Sequence, residues 1–356
     1  MNTISLCMIV RNEESNIERC LKSINGLVDE IIIVDTGSSD RTKELCSAFG
    51  AKVYDFHWED DFSKARNFSI EKATSDWILW LDADEELIIR KKELKELLLQ
   101  KEASMYLIKM LHLYGEEPNP KSNYYISYHH RLFQKKDSIS FQGTIHERLV
   151  SIKMNDTSEV CDFFEILHYG YLKEAASKKT LRNLELLMKE KKAGNEDPWI
   201  DYHIAAELYR SHDAQHAYLM VNQAIAKFLM EETLPSALVY KLKYDILVRT
   251  SKMEEAKKGI EKVIELYPDY VELHFYKGII LYRLEEYEEA RKAFSRCLIL
   301  GEKNSNYLIK LGSGSFYAYY YIGECYRNMN QPEHAKIAYD QAVECNPQVK
   351  LLLNVH

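Results

Sequence analysis

The chain lacks several features that mark whole classes of protein. It has only 13 glycines and 7 prolines in 356 residues, while 46% of its residues are hydrophobic and 29% are charged, which excludes a collagenous, linker-like or wholly disordered protein. No apolar run approaches the roughly 18 residues of a membrane span, and the amino terminus has no basic segment of a secretory signal. We therefore expect no transmembrane segment and no classical secretion.

The chain also has no excess of positive charge and no closely spaced pair of cysteines. There are 47 Lys and Arg against 55 Asp and Glu, and no basic block is long enough to neutralise a row of phosphates, so nucleic acid is not expected as a partner. The seven cysteines are odd in number, widely scattered and without a C-x-x-C pair, which argues against a disulfide framework and a zinc site. This usage predicts a reducing, cytoplasmic location.

In the first half of the chain, helix-like segments separate short apolar runs that have the length of strands. The predicted strands are 4–10, 30–34, 52–54 and 77–81. Such alternation indicates a mostly parallel sheet covered by helices, with ligands at the carboxyl ends of its strands. We predict an α/β domain at residues 1–175.

From about residue 176, long helical patterns rich in Ala, Leu, Tyr, Glu and Lys replace the alternation. Ala256 and Ala290 occupy like positions 34 residues apart, the spacing of a tetratricopeptide repeat. A further copy around Gly323 follows an insertion at 301–315, and 199–228 looks like a degenerate first copy. About four helix pairs are predicted to form an all-α solenoid at residues 176–356, whose exposed faces also allow a homodimer.

Two carboxylates follow the last predicted strand of the first half. Asp82 and Asp84 end the segment ILWLDADEE, where paired acids can hold a hard divalent cation against substrate phosphates. Taken alone, such a pair is more often a solvated surface feature.

Polar residues elsewhere in the first half favour a binding site over a solvated surface pair as the interpretation of Asp82 and Asp84. Asp35 ends an earlier strand, at the position where an α/β sheet contacts a nucleotide ring or ribose. Arg11 and Asn12 end the first strand, and DDFSKARNFSI offers Arg66 and Asn67. We expect these clusters to converge with the acidic pair on one rim of the sheet.

Six segments occur in the order IVRNEESNIERCLKSI, EIIIVDTGSSDRT, DDFSKARN, LWLDADEEL, FQGTIHERL and ILHYGY. In these segments the chain resembles family 2 glycosyltransferases with the GT-A fold, over about half its length. The combination with helical repeats is similar to the subgroup that contains glycocin peptide S-glycosyltransferases, which place a sugar on a Cys of a bacteriocin peptide. This resemblance specifies the expected donor chemistry better than the acceptor.

The resemblance implies a role for individual residues. Asp84 is expected to coordinate Mg²⁺ or Mn²⁺ at the diphosphate of a UDP-sugar, together with Asp82 and His168 of ILHYGY. Glu147 of TIHERL is the preferred catalytic base and His146 the runner-up. A salt bridge to Arg148 or a helix-capping role explains Glu147 equally well. A structural role likewise explains His168 as well as metal binding does. The implied nucleotide-binding residues are Val10, Arg11, Asn12, Asp35, Arg66, Asp82 and Ala83.

The implied reaction is a metal-dependent, inverting transfer of a sugar from a UDP-sugar to a peptide or protein acceptor that the repeats recruit. A cation would stabilise the charge that develops on the departing diphosphate. The alternatives are a surface-glycan or lipid-linked acceptor, a nucleotidyltransferase, and a non-catalytic repeat scaffold. No Gly-rich basic loop for a triphosphate is present near the amino terminus, which argues against the nucleotidyltransferase.

Overall fold

The computed structural model describes residues 3–90, 98, 103–119, 123–153 and 156–353. The chain divides into two compact units, Met1–Pro118 with Ser127–Ala175, and Asn119–Ile126 with Ala176–His356. The segment 119–126, which lies in the first predicted domain, therefore groups with the second unit. That residues 1–175 and 176–356 are two separate domains stays a prediction.

The first unit combines a sheet, a two-stranded pair and three helices in its described residues. The helices are α1 Ile17–Ser23, α2 Thr42–Ala48 and α3 Phe62–Lys72. The sheet strands are β1 Ile4–Val10, β2 Glu30–Asp35, β3 Lys52–Asp55, β4 Trp77–Trp80, β5 Glu85–Ile89, β6 Met105–Gly115, β7 Tyr124–Gln134 and β10 Ser158–Leu172. The separate pair is β8 Ile139–Gln142 with β9 Arg148–Ser151.

The strand order of the sheet is β3-β2-β1-β4-β7-β6-β10-β5. The first four strands are parallel, as is β6 with β10, whereas β7 is antiparallel to β4 and β5 is antiparallel to β10. The sheet is therefore mixed: the parallel strands predicted from the alternation are present as β1 to β4, and β7 and β5 add antiparallel pairings.

Both faces of strand β1 are buried. Leu6 and Met8 belong to one hydrophobic cluster together with Ile17 of α1. Cys7, whose side chain points to the opposite face, belongs to another cluster that includes Phe141 of β8. A strand buried on both faces has no alternation of polar and apolar residues, which is why it appears in the sequence as a continuous apolar run.

The second unit is built mainly from helix pairs. Helix α4 spans Lys173–Lys192, and the short segments Pro347–Val349 and α13 Lys350–Leu353 end the described chain. The four predicted pairs are confirmed in the described residues. They are α5 Pro198–Arg210 with α6 Ala214–Met230, α7 Ala237–Arg249 with α8 Met253–Leu266, α9 Val271–Arg283 with α10 Tyr287–Leu300, and α11 Phe316–Asn328 with α12 Pro332–Cys345.

The predicted insertion between the third and fourth pairs contains a short strand, β11, at Ile309–Lys310. It pairs antiparallel with Tyr125 and Ile126, which belong to the same unit. The backbone N–H of Lys310 donates to Glu272 Oε1 of α9 at 2.5 Å, and the ammonium of Lys241 on α7 lies 5.1 Å from the ring centre of Tyr125. The chain's own residues therefore cover part of the surface formed by the first helices of the pairs.

None of the helices within the described ranges is both long enough and apolar enough to cross a membrane.

Helices α9 and α10 touch closely at Gly278. A Cβ added there would lie 2.5 Å from Cε1 of Phe294, whose ring is fully buried. We expect Gly278→Ala to destabilise the chain by about 1–3 kcal/mol in urea unfolding followed by circular dichroism.

Gly259→Ala on α8 is the matched control for this change. Its new methyl group would meet only the hydroxyl of Tyr244, at 3.1 Å, while the helix gains up to about 1 kcal/mol in propensity. Equal unfolding midpoints for the two variants would contradict the close contact as the reason for glycine at position 278.

Candidate active site

The loops that follow strands β1 and β2 are tied together at the carboxyl edge of the sheet. Val10 and Asp35, the last residues of the two strands, are register partners. Asn12 has φ +55°, donates its backbone N–H to Ser38 Oγ at 2.9 Å, and accepts at Oδ1 from the backbone N–H of Ser39 at 2.8 Å. The amide oxygen of Asn12 thus joins the two loops. The neighbouring side chain of Arg11 is exposed on the same rim.

Asp35 is an almost completely buried carboxylate, with 2% of its surface exposed. Its Oδ1 accepts hydrogen bonds from the backbone N–H groups of Gly37 at 3.0 Å and Ser38 at 2.9 Å. Gly37 has φ +107°, a conformation that glycine adopts without strain. Asp35 Oδ2 is also buried and has no hydrogen-bond partner in the part of the chain that the structure describes. A buried oxygen of this kind is suited to accept a hydrogen bond from a ligand.

Arg66 of α3 is a buried cation between two carboxylates. Its Nη2 donates to Asp82 Oδ1 at 2.9 Å and its Nε donates to Glu147 Oε1 at 2.5 Å. The guanidinium lies 4.3 Å from the ring centre of Trp80, within the range of a cation–π contact. Although burial opposes the charged form, the two carboxylates raise the pKa of Arg66. Arg66 is therefore a permanent charge that positions Asp82 and Glu147.

A second buried arginine, Arg131 of β7, was not predicted. Its Nη2 donates to Glu85 Oε1 at 2.6 Å, its Nη1 lies 3.8 Å from Asp82 Oδ2, and its guanidinium lies 3.5 Å from the ring centre of Trp80. Burial by itself would raise the pKa of Asp82, but Arg66 and Arg131 outweigh burial and the pKa is lowered. Asp82 is consequently held as a carboxylate beside two guanidinium groups.

Glu85 fixes the turn that carries the two aspartates. Its Oε2 accepts from the backbone N–H of Asp82 at 2.9 Å, and its own N–H donates to the carbonyl of Asp82 at 3.0 Å. Glu85 is fully buried, and burial raises its pKa to about 7 although Arg131 acts in the opposite direction. Ala83 is buried inside the same turn. The Glu85 side chain thus closes the turn, and its contact with Arg131 anchors the turn to β7.

Asp84 faces His168 across the sheet edge. Asp84 Oδ2 lies 3.5 Å from His168 Nε2, and the two side chains are 8% and 15% exposed. The backbone N–H of Tyr169 donates to the carbonyl of Asp84 at 3.0 Å. His168 reaches this position because β10 pairs antiparallel with β5 and places it opposite Glu85. The structure therefore brings together Asp84 and His168, two of the three predicted metal ligands.

Behind His168 lies a row of polar side chains that sequence reasoning missed. His168 Nδ1 lies 2.9 Å from His112 Nδ1, His112 Nε2 lies 2.6 Å from Ser127 Oγ, and the same oxygen lies 2.9 Å from His129 Nε2. Burial and the neighbouring His168 and His129 lower the pKa of His112 well below its usual range. His112 is therefore a neutral imidazole.

The predicted metal ligands separate into two groups. Asp84 and His168 face each other, whereas Asp82 is engaged by arginines. Among the described residues, no three His, Cys, Asp or Glu side chains are grouped as a complete metal site. A carboxylate oxygen and an imidazole nitrogen are donors that suit a divalent cation, and the imidazole would favour Mn²⁺ over Mg²⁺.

The segment before β9 carries the two predicted bases. Glu147 forms its salt bridge with Arg66, and it precedes a strand rather than capping a helix. His146 has φ +56° in the same segment. Asn67, predicted near the ligand, instead donates to the carbonyl of Phe141 at 2.9 Å and accepts from its N–H at 2.8 Å. Asn67 thus joins α3 to β8.

Comparison with known proteins identifies the class of both parts of the chain. Residues 5–157 match glycosyl transferase family 2, and residues 271–304 and 316–349 match the tetratricopeptide repeat. The chain carries a family 2 glycosyltransferase domain followed by tetratricopeptide repeats. The predicted fold class and enzyme class are confirmed.

Three relatives illustrate how far the similarity extends. A TPR repeat-containing protein of Synechococcus elongatus is 31% identical over 281 residues, which cover 75% of this chain and 65% of the relative. Glycosyltransferase SunS of Bacillus subtilis is 25% identical over 286 residues, 78% of this chain and 67% of the relative. An uncharacterized glycosyltransferase of Rickettsia felis is 33% identical over 153 residues, 41% of this chain and 52% of the relative. The chain thus spans between about half and two thirds of the length of these proteins.

Proposed function

We propose that the chain transfers a sugar from a UDP-sugar to a peptide or protein acceptor, with a divalent cation and with inversion at the anomeric carbon. The observation that carries this proposal is the Asp84–His168 pair, whose facing oxygen and nitrogen are 3.5 Å apart. Asp84 follows β4, whose parallel neighbour β1 ends at Val10 and pairs in turn with β2, which ends at Asp35, so the cation and nucleoside sites adjoin in this proposal.

In this proposal the nucleoside binds at the ends of β1 and β2. The buried Asp35 Oδ2 accepts a hydrogen bond from a ring N–H or a ribose hydroxyl. Backbone groups at 10–12 and at Ala83 line the same site, where Arg11 supplies an exposed positive charge. Asp82, which Arg66 holds through Oδ1, presents its other oxygen to the ribose.

Asp84 and His168 hold the cation in this proposal. A bound Mg²⁺ or Mn²⁺ would act as a Lewis acid toward the departing diphosphate. The protein's part is to keep the carboxylate and the imidazole nitrogen in place before the substrate arrives, which the hydrogen bond from the Tyr169 N–H and the pairing of β10 with β5 achieve.

Inversion requires the acceptor to attack the face opposite the diphosphate, with a base in hydrogen-bond reach of its proton. We assign this role to Glu147, with His146 as the alternative. Because Glu147 Oε1 is bound to Arg66, Oε2 is the atom that takes the proton. A Cys acceptor, with a thiol pKa near ~8.5, depends less on the base than a hydroxyl does.

We assign recruitment of the acceptor to the repeats. A helical-repeat solenoid offers an extended surface that suits a peptide better than a small sugar. Tyr125 and β11 already cover part of the surface formed by the first helices, so the acceptor is assigned to the remainder. Transfer to a Cys of a peptide is the specific form that the subgroup resemblance supports, and a surface-glycan or lipid-linked acceptor is the alternative.

A screen of nucleotide sugars against the full chain tests the donor and the cation. We expect UDP release from a UDP-sugar in Mn²⁺, and loss of that release in EDTA. Equal UDP release with and without the cation would contradict the metal assignment. Calorimetry that detects no UDP binding would favour the alternative of a non-catalytic repeat scaffold. Mass spectrometry of candidate peptides and glycans then identifies the acceptor, and sugar on a glycan alone would overturn the peptide assignment.

Asp35→Asn is expected to weaken metal-free UDP binding by about 10- to 100-fold. One carboxylate hydrogen bond to the nucleoside is lost, and bonds to charged groups contribute roughly 1.5–3 kcal/mol. Calorimetry with UDP in EDTA measures the change. Asp55→Asn is the control, because Asp55 ends the neighbouring strand β3 but is 77% exposed and paired with Lys43. Equal affinities for the two variants would contradict the role of Asp35.

A further inference from the structure

Four polar side chains form a continuous line across three neighbouring strands of the sheet. His168 of β10 and His112 of β6 are register partners, and β7, which carries Ser127 and His129, lies next to β6. Ser127 and His129 are two residues apart and so share one face of β7. We call His168, His112, Ser127 and His129 the histidine relay.

The two hydrogen bonds of His112 within the relay must run in the same direction. A neutral imidazole has one donor and one acceptor nitrogen, and His112 uses both nitrogens within the relay. His112 and Ser127 are each only 8% exposed, so water cannot readily replace a missing partner. His129, at the outer end, is exposed, so its ring does not depend on a second protein partner and can take either tautomer.

When the hydrogen bonds run from His168 toward His129, His168 is prepared to bind a cation. If His168 Nδ1–H donates to His112, then His112 Nε2–H donates to Ser127 Oγ, which leaves the hydroxyl proton free to donate to His129 Nε2. This arrangement leaves a lone pair on His168 Nε2, the atom that faces Asp84 Oδ2 at 3.5 Å.

The opposite direction suits the same residues without a cation. His129 Nε2–H then donates to Ser127, the hydroxyl donates to His112, and His112 Nδ1–H donates to His168. His168 carries its proton on Nε2, directed at the Asp84 carboxylate. Reversal from the first arrangement to the second takes up one proton at His168 Nε2 and releases one at the exposed His129, so the number of bound protons is unchanged.

We propose that His112 and Ser127 are positioning residues that fix the tautomer of His168 and thereby present its Nε2 lone pair to the cation beside Asp84. This inference rests on the proposed function, since it needs His168 to be a cation ligand. Histidines that bind metals almost always donate their other N–H to a fixed acceptor, and loss of that acceptor typically costs 10- to 100-fold in metal affinity. In this chain the acceptor is His112 Nδ1, which Ser127 in turn orients.

Mn²⁺ binding to the full chain in the presence of UDP, followed by electron paramagnetic resonance, tests the relay. We expect His112→Phe to raise the Mn²⁺ dissociation constant by about 10- to 100-fold and to leave metal-free UDP binding unchanged. Ser127→Ala is expected to weaken Mn²⁺ binding in the same direction, and Ser127→Thr, which keeps the hydroxyl, is expected to restore it. The serine pair decides the question if His112→Phe does not fold.

Nitrogen NMR of ¹⁵N-histidine-labelled protein provides a readout that a merely structural role would not change. The chain has 12 histidines, and the His168 signals are those that disappear in His168→Ala. With Mg²⁺ and UDP bound, we expect His168 to carry its proton on Nδ1 in the wild type, and to show a mixture of tautomers in Ser127→Ala. A proton on Nε2 in the loaded wild type would overturn the inference.

His168→Ala separates failure of the inference from failure of the proposed function. If His168→Ala binds Mn²⁺ as the wild type does, the cation site itself is wrong. If His168→Ala loses Mn²⁺ while His112→Phe and Ser127→Ala both keep wild-type affinity, the cation site stands and the relay is rejected.

Discussion

Asp84→Asn is expected to lower turnover of a UDP-sugar by about 100-fold or more, because removal of one preorganised charge-stabilising element commonly has an effect of this size. The substitution removes a negative charge that faces His168 at 3.5 Å while side-chain volume stays almost the same. The fold should survive, since the backbone carbonyl of Asp84 still accepts from Tyr169. Initial rates of UDP release in Mn²⁺ measure the effect.

Asp55→Asn is the matched control for the turnover measurement. It makes the same chemical change at the end of β3, where the side chain is solvated, and should keep wild-type turnover. Wild-type turnover by Asp84→Asn in Mn²⁺ would show that this carboxylate does not hold the cation.

Arg66→Met is expected to destabilise the first unit by about 3–5 kcal/mol, the usual result of removing one partner from a buried ion cluster. The change leaves the carboxylates of Asp82 and Glu147 without the guanidinium that joins them, and Arg131 lies 3.8 Å from only one of the two. Trp80, on whose ring Arg66 lies, supplies a nearby fluorescent reporter.

Urea unfolding followed by tryptophan fluorescence measures this loss. In a Trp199→Phe background the remaining tryptophans, Trp58, Trp77 and Trp80, all belong to the first unit. Lys64→Met is the control, because Lys64 lies on the same helix but forms an exposed salt bridge with Glu59, a type of pair that contributes roughly 0–1 kcal/mol. Similar losses for Arg66→Met and Lys64→Met would contradict a structural role for the buried cluster.

Much of the fold was predictable because its signals are local. The strands β1 to β4 are short apolar runs, and the repeat period of 34 residues reappears in the starts of α7 and α9 at Ala237 and Val271. Parallel strands bring their carboxyl ends to one edge, so Val10, Asp35 and the acidic pair were expected there. These inferences need only residue spacing and the geometry of parallel strands.

The long strands β6, β7 and β10 were not predicted, and with them the partners of the site were missed. His112 lies on β6, and Ser127 and Arg131 lie on β7. The sequence of these strands gives no sign of which side chains become buried. Only the strand order, in which β7 lies between β4 and β6, brings Arg131 to Asp82 and Ser127 to His112. The mixed direction of the sheet depends on the same nonlocal pairing.

By itself, the sequence determined the class of each part of this protein and the residues that end the parallel strands, because both depend on local spacing and on motif order. The tertiary structure alone decided which charges neighbour one another. It paired Asp82 with two arginines, set Glu147 against Arg66, and supported His168 with His112. Those contacts join residues far apart in the chain, and a side chain's protonation and orientation depend on the neighbours that folding supplies.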